Sequence, residues 1–191
     1  MITRHEERTA RQWAWETARR AGLVLKEDEF HAIEVADFGS SQLPDIGAQI
    51  LTLEANNWVS IKVLILMPWQ LEPQHRHPPC VAENYPGKTE VLRCWWGRLY
   101  HYAEGEVTAE PQARPAAAWR EHLTVWNERI LGPGDQLVLP PNTWHWFQAG
   151  SEGAVVWTIS SKVTDAADQW MDPRIARQTR FADEPAARQG F

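Results

Sequence analysis

Residues 74–102 read QHRHPPCVAENYPGKTEVLRCWWGRLYHY, and two features of this stretch decide how the rest of the chain is read. His75 and His77 stand two residues apart. On a strand, alternate side chains point to one face, so both imidazoles can meet a single ion. A loop carrying Pro78, Pro79 and the Pro86-Gly87 pair follows. Glu90 then opens EVLRCWWGRLYHY, whose aromatic and aliphatic residues predict a long strand. Further on, His145 lies just beyond PPNTW, after a strand expected to end at Leu139. Neutral imidazole is the commonest nitrogen ligand of transition metals. Two or three histidines with one carboxylate, leaving open positions, suit a divalent ion such as Mn, Fe, Co, Ni or Zn. His75, His77, Glu90 and His145 are therefore the candidate metal ligands.

Working outward, the chain is punctuated as an all-β protein. Candidate strands cover 31–36, 47–54, 58–66, 90–103, 121–130, 135–139, 145–148 and 153–161, with Pro and Gly clusters between them. Short strands at this spacing, with almost no helix in the middle, predict a barrel or sandwich. The segment from Pro111 to Ala118 reads as a surface connection. The exception comes first: Thr3 and Glu6 fit a capping box, Gly22 suits a C-terminal cap, and a helix is expected from Thr3 to Ala21. Its Ala10, Trp13, Ala14, Thr17 and Ala21 recur on one face. After Ser161 the chain turns polar, with a short helical turn expected over Asp165–Trp170 and mobility past Ala182. The expectation is one domain of 191 residues: a helix over 1–22, the barrel over 23–162 and an extension over 163–191.

Composition excludes several function classes. Nineteen Lys and Arg against 25 Asp and Glu give a net charge of −6, so there is no basic footprint for nucleic acid. No apolar run approaches the roughly 20 residues needed to cross a bilayer. The charged N-terminus, MITRHEERTARQWAWETARR, is no secretory signal. Cys80 and Cys94 are accordingly expected to be reduced thiols of a cytoplasmic protein. Cys94 shares the strand parity of Glu90 but stands four residues away, roughly 13 Å at strand rise, too far to ligate the same ion. The 12 tryptophans are expected mostly in cores. Trp144 and Trp146 bracket His145 and so belong to the opposite face. His5, His31, His101 and His122 are not offered as ligands; His101 has the opposite parity from Glu90 and is expected to face away.

The order of these residues resembles the two cupin motifs. H-x-H followed by Glu90 and, after six residues, Gly97 matches the first; Gly132, then Pro140 or Pro141, then His145 matches the second. The expected fold is thus the cupin double-stranded β-helix, a jelly-roll barrel with an added N-terminal helix. A narrower resemblance runs from about residue 20 to 176. HRHPP at 75–79, NYPGKTEVLRCWWGRLYHY at 84–102, TVWNE at 124–128, PPNTWHWFQAGSEGAVV at 140–156 and DPRI at 172–175 look like the D-lyxose ketol-isomerase family. That resemblance implies a Mn-dependent aldose–ketose isomerase. Its substrates would be D-lyxose and D-xylulose, and D-mannose and D-fructose. The implied ligands are the four residues named above, and the fold commonly forms homodimers.

The chemistry needs more than a cation. Isomerising an aldose moves a proton between C1 and C2 and places negative charge on a carbonyl oxygen. Lys88, two residues before Glu90, can face the same cavity and stabilise that oxygen. Glu83, on the loop between ligands, and Glu128, on the strand leading to the second motif, are candidate bases. The family pattern carries a glutamate where this chain has Thr158, and a threonine cannot serve as a carboxylate base. Two other readings stay open from sequence: a sugar-binding cupin without catalysis, and an Fe(II)-dependent cupin dioxygenase.

Overall fold

The computed structural model describes residues 1–162 and 165–183. Helix α1 (Arg4–Arg20) begins where the capping box predicts. The Thr3 hydroxyl accepts from the Glu6 N–H, and the Glu6 carboxylate accepts from the Thr3 N–H at 2.7 Å. A cap of this kind is worth about 1 kcal/mol. The buried face of α1 is made of small residues, Ala10, Ala14, Thr17 and Ala18, which let the helix lie close against the sheet. Ala14 and Ala18 pack with Leu51, Val63, Ile65 and Val155.

The strands are β1 (Glu34–Ala36), β2 (Ala48–Ala55), β3 (Val59–Leu66), β4 (Leu71–Arg76), β5 (Glu90–Ala103), β6 (Asn127–Leu131), β7 (Gln136–Leu139), β8 (His145–Ser161) and β9 (Gln169–Trp170). All pairings are antiparallel, in the order β1-β2-β3-β8-β4-β9, with β5 joining β8 to β6 and β7. Two long strands join the two halves of the structure. β8 pairs through its first residues with β4 and through its last with β3, while β5 runs beside it at both ends. β5 in turn pairs with β7 near Glu90 and with β6 near Leu99. One sheet therefore curls on itself, and its interior is filled by Leu92, Leu99, Phe147 and Val156 among others.

Such curling needs breaks in the ladder, which bulges supply. The β5–β8 register shifts between Cys94 and Trp96 and again between Gly97 and Leu99. Gly97 and Gly153 both have positive φ, +76° and +92°, where the chains pass. A Cβ on Gly97 would lie 2.2 Å from the Gly153 carbonyl oxygen, so only glycine fits.

Several local expectations are corrected. His31 belongs not to a strand but to a short helix α2 (Glu27–Ala32), and the strand begins at Glu34. The expected strand over 121–130 starts only at Asn127, and Ala117–Arg120 forms one helical turn, α3, burying Trp119. The two strands expected over 145–148 and 153–161 are one continuous strand, β8. β4 was not among the expected strands at all. Asp165–Ala167 is a 3-10 turn, and β9 then pairs with β4. Trp146 is fully buried and stacked on Tyr102 at 4.0 Å, as core. Both cysteines are free. Among the described residues no helix is long and apolar enough to cross a membrane. The expectation of mobility past Ala182 concerns mainly residues 184–191, which lie outside the described residues.

Candidate metal centre

Three elements bring the candidate ligands together. β4 supplies His75, and His77 follows one residue beyond the strand end. In the β4–β8 ladder His75 lies directly opposite His145, which places the two imidazoles side by side with centroids 4.2 Å apart. The His77 ring is 5.0 Å from that of His75 and 5.1 Å from that of His145. One nitrogen from each of the three falls within 4.8 Å of the others. Glu90 reaches in from β5, its Oε2 3.3 Å from His77 Nε2. All four residues are buried.

The tautomers are fixed by what holds the other ring nitrogen. His75 Nδ1 lies 2.8 Å from the Pro73 carbonyl oxygen and His145 Nδ1 lies 2.9 Å from that of Thr143. A carbonyl only accepts, so both Nδ1 atoms carry hydrogen and both Nε2 atoms present a lone pair. His77 Nδ1 likewise donates to Asp168 Oδ1 at 2.6 Å. This is how ligand imidazoles are usually oriented by outer partners. His145 Nε2 is buried and has no hydrogen-bond partner. An orphaned lone pair costs free energy unless something occupies it, and a cation does so. The three clustered imidazoles fit a divalent metal, while Glu90 stands beside His77 outside that cluster.

For His75 and His145 the electrostatics agree with that fit. Burial, then the neighbouring imidazoles, holds His75 well below the ordinary histidine range. His145 is pushed down to about 3 by burial, His77 and His101. Both are therefore neutral, the form that ligates. Burial works against the charge of Glu90, but the Lys88 ammonium and His77 outweigh it and hold the carboxylate well below its usual range. His77 is raised, since Asp168 and Glu90 overcome the effect of burial.

A cavity opens beside the ligands. Its polar wall is Lys62, Glu72, His75, Lys88, Glu90, Thr158, Asp165, Asp168 and Arg177, and its apolar wall includes Phe38, Leu92, Phe147 and Trp170. Lys88 is where sequence reasoning puts it. Its Nζ lies 3.7 Å from Glu90 Oε1 and 3.6 Å from Asp165 Oδ1, and these carboxylates with Asp168 raise its pKa against the effect of burial. Thr158 is buried in the same wall, paired across the ladder with Lys62.

The two carboxylates expected as bases stand elsewhere. Glu83 ends a 3-10 turn on the surface, with its side chain 53% exposed and ion-paired to Lys162. Glu128 accepts from the Tyr102 hydroxyl and from the Gln112 N–H at 2.7 Å. Neither lines the cavity. The opposite correction applies to His101, which does not face away. The β5 register shifts invert the alternation, so His101 is buried and stacked on His145 at 5.9 Å. Sequence reasoning also missed Glu72. The β4 register slips by one residue between Glu72 and His75, at Pro73, which turns both side chains to the same cavity despite their odd spacing. Burial and the Glu90 charge push the Glu72 carboxyl up to about 8.

A curled antiparallel sheet of this topology, with histidines gathered on its inner wall, has the cupin fold. No family model matches the chain. Curated relatives do: D-lyxose/D-mannose isomerase of Thermosediminibacter oceani is 40% identical over 183 residues, covering 96% of this chain and all of the relative. D-lyxose ketol-isomerase of Thermofilum sp. is 41% identical over 177 residues, covering 93% of this chain and 97% of the relative. The chain belongs to the D-lyxose ketol-isomerase family and is an isomerase. Among solved structures, L-ribose isomerase of Acinetobacter sp. superposes with a TM-score of 0.74 at 14% identity, over 91% of this chain and 94% of that one. At that identity it bears on the fold alone.

Proposed function

We propose that the protein is a metal-dependent aldose–ketose isomerase acting on D-lyxose and D-xylulose, and on D-mannose and D-fructose. The observation that carries this reading is the buried, partnerless Nε2 of His145, converging with His75 and His77 in a chain about 40% identical to D-lyxose isomerases. His75, His77, Glu90 and His145 would hold the ion, with Mn the expected occupant. When bound, a divalent cation polarises a sugar carbonyl and stabilises the enediolate charge. The chain's own groups do the rest. The Lys88 ammonium is fixed in the cavity wall by Glu90 and Asp165, where it faces negative charge developing on a substrate oxygen. Trp170 and Phe38, with centroids 5.2 Å apart, give the cavity an apolar side that limits water.

The test is an aldose panel. Protein stripped with a chelator should be inactive and should regain D-lyxose conversion with Mn, without oxygen. Full activity after verified metal removal, or no turnover of any aldose with Mn, Co or Zn, rejects the reading. It extends to a homodimer, supported by an apolar row on the outer face. There Val138, Val91, Ile159 and Ile61 are successive cross-strand partners, the first and third 59% and 42% exposed. Light scattering measures that state. A cytoplasmic location goes with the free Cys80 and Cys94.

A further inference from the structure

The isomerase reading leaves the proton carrier unassigned, because Glu83 and Glu128 stand outside the cavity and the β8 residues lining it, Phe147 and Thr158, carry no carboxylate. Glu72 fills that gap. Its side chain is 13% exposed, it lines the cavity, and its Oε1 lies 3.9 Å from His75 Nε2. Its Oε2 is buried without any hydrogen-bond partner. The other cavity carboxylates are engaged: Glu90 with His77 and Lys88, Asp165 with Lys62 and Lys88, Asp168 with His77. A buried carboxylate oxygen left unsatisfied is costly, and its retention at a cavity wall calls for a reason. The backbone there is also specialised. Pro73 sits in the β4 register slip, where it lacks an N–H to lose, and the slip aims Glu72 and His75 into one space.

We infer that Glu72 is the carboxylate that carries the proton between C2 and C1 of the sugar, an inference that rests on the isomerase reading above. In its ionised form, which burial and the Glu90 charge disfavour, Glu72 takes the C2 proton. The C2–H electron pair becomes the C1–C2 double bond, and the carbonyl pair moves to O1. Glu72 then returns the proton to C1, the C2 hydroxyl proton ends on O1, and C2 becomes the carbonyl. No co-reactant is consumed. A base that shuttles one proton on one face is worth about 10²–10⁴ in rate.

The test compares wild type with Glu72→Gln and Glu72→Asp, each loaded with Mn. Glu72→Gln should lower kcat by about 10²–10⁴-fold. Its metal content, read by elemental analysis, and its D-lyxose affinity, read by calorimetry, should remain within threefold of wild type. Glu72→Asp keeps the acid–base group but withdraws it, so it should retain metal and show an intermediate kcat. Should Glu72→Gln fail to fold, the aspartate variant decides alone, with unchanged kcat overturning the inference. A Glu72→Gln protein with near wild-type kcat overturns it as well. So does loss of metal in parallel with activity, which would make Glu72 a ligand. A wild type that converts no aldose instead fails the underlying reading, and is recognised without any variant.

Discussion

The Nδ1 hydrogen of His77 goes to the Asp168 carboxylate at 2.6 Å, across 91 residues of sequence. This bond ties His77 to the segment after β8, whose Asp165, Asp168 and Trp170 all stand in the cavity wall. β9 anchors the segment by pairing Trp170 with His75 and Gln169 with Arg76. The bond should therefore matter to the metal. Outer partners of ligand histidines typically contribute 10–100-fold in affinity. Asp168→Ala should weaken Mn binding by about that factor while leaving the β-rich circular dichroism spectrum unchanged. A competition titration with a chromophoric chelator measures it, and unchanged affinity would separate Asp168 from the site.

The candidate ligands could be picked out in the sequence because each obeys a local rule. His75 and His77 stand two apart where β4 ends, and Glu90 and His145 open strands as their neighbours suggest. What eluded the sequence follows from one physical cause. Alternation holds only while a ladder stays in register, and a bulge inverts it without any composition signal. The slip at Pro73 brings Glu72 inward, and the shifts after Cys94 bring His101 inward. Asp165 and Asp168 lay in a polar stretch with no periodicity, so nothing local marked their docking over the barrel. Helix α1 was readable almost to the residue, since its capping box and small-residue face are local features.

The glycine crossing on β5 yields a stability prediction. Gly97→Ala places a methyl 2.2 Å from the Gly153 carbonyl oxygen and requires a φ near +76°. A non-glycine residue held in that region costs on the order of 1–3 kcal/mol before the clash is counted. Chemical denaturation should show a loss of about 3 kcal/mol, with the m-value unchanged. A variant as stable as wild type would mean that the two strands separate there at little cost.

Acid should loosen the hold of Asp165 on the cavity wall. Burial opposes the charge of Asp165, but Lys62 and Lys88 outweigh it and lower its pKa below the ordinary aspartate value. A carboxylate with a depressed folded pKa contributes stability that is fully present above the unfolded value, near 3.9. That contribution fades as pH falls through the lower folded value. Asp165→Asn lacks it at every pH, so its deficit in melting temperature relative to wild type should be largest near neutrality and shrink toward pH 3. Melting curves from pH 7 to pH 3 test this. A deficit that grows with acidity would contradict the sign.

Glu90 and Lys88 should fail in different ways, although their charged atoms lie 3.7 Å apart. Glu90 is the one anionic group among the proposed ligands, so Glu90→Gln removes charge from the ion and leaves the buried Lys88 with Asp165 as its remaining close carboxylate. Metal content and turnover should fall together, each by at least about tenfold. Lys88→Ala removes a cation from beside the ion, so metal content should hold or rise while kcat falls about 10²-fold, the loss expected of a missing oxyanion partner. Elemental analysis after gel filtration, run with steady-state kinetics on the same samples, separates the two effects. A Glu90→Gln protein that keeps full metal and full turnover would remove Glu90 from the ligand set. A Lys88→Ala protein with wild-type kcat would leave that ammonium a structural counter-charge to Glu90 and Asp165, with no part in the chemistry.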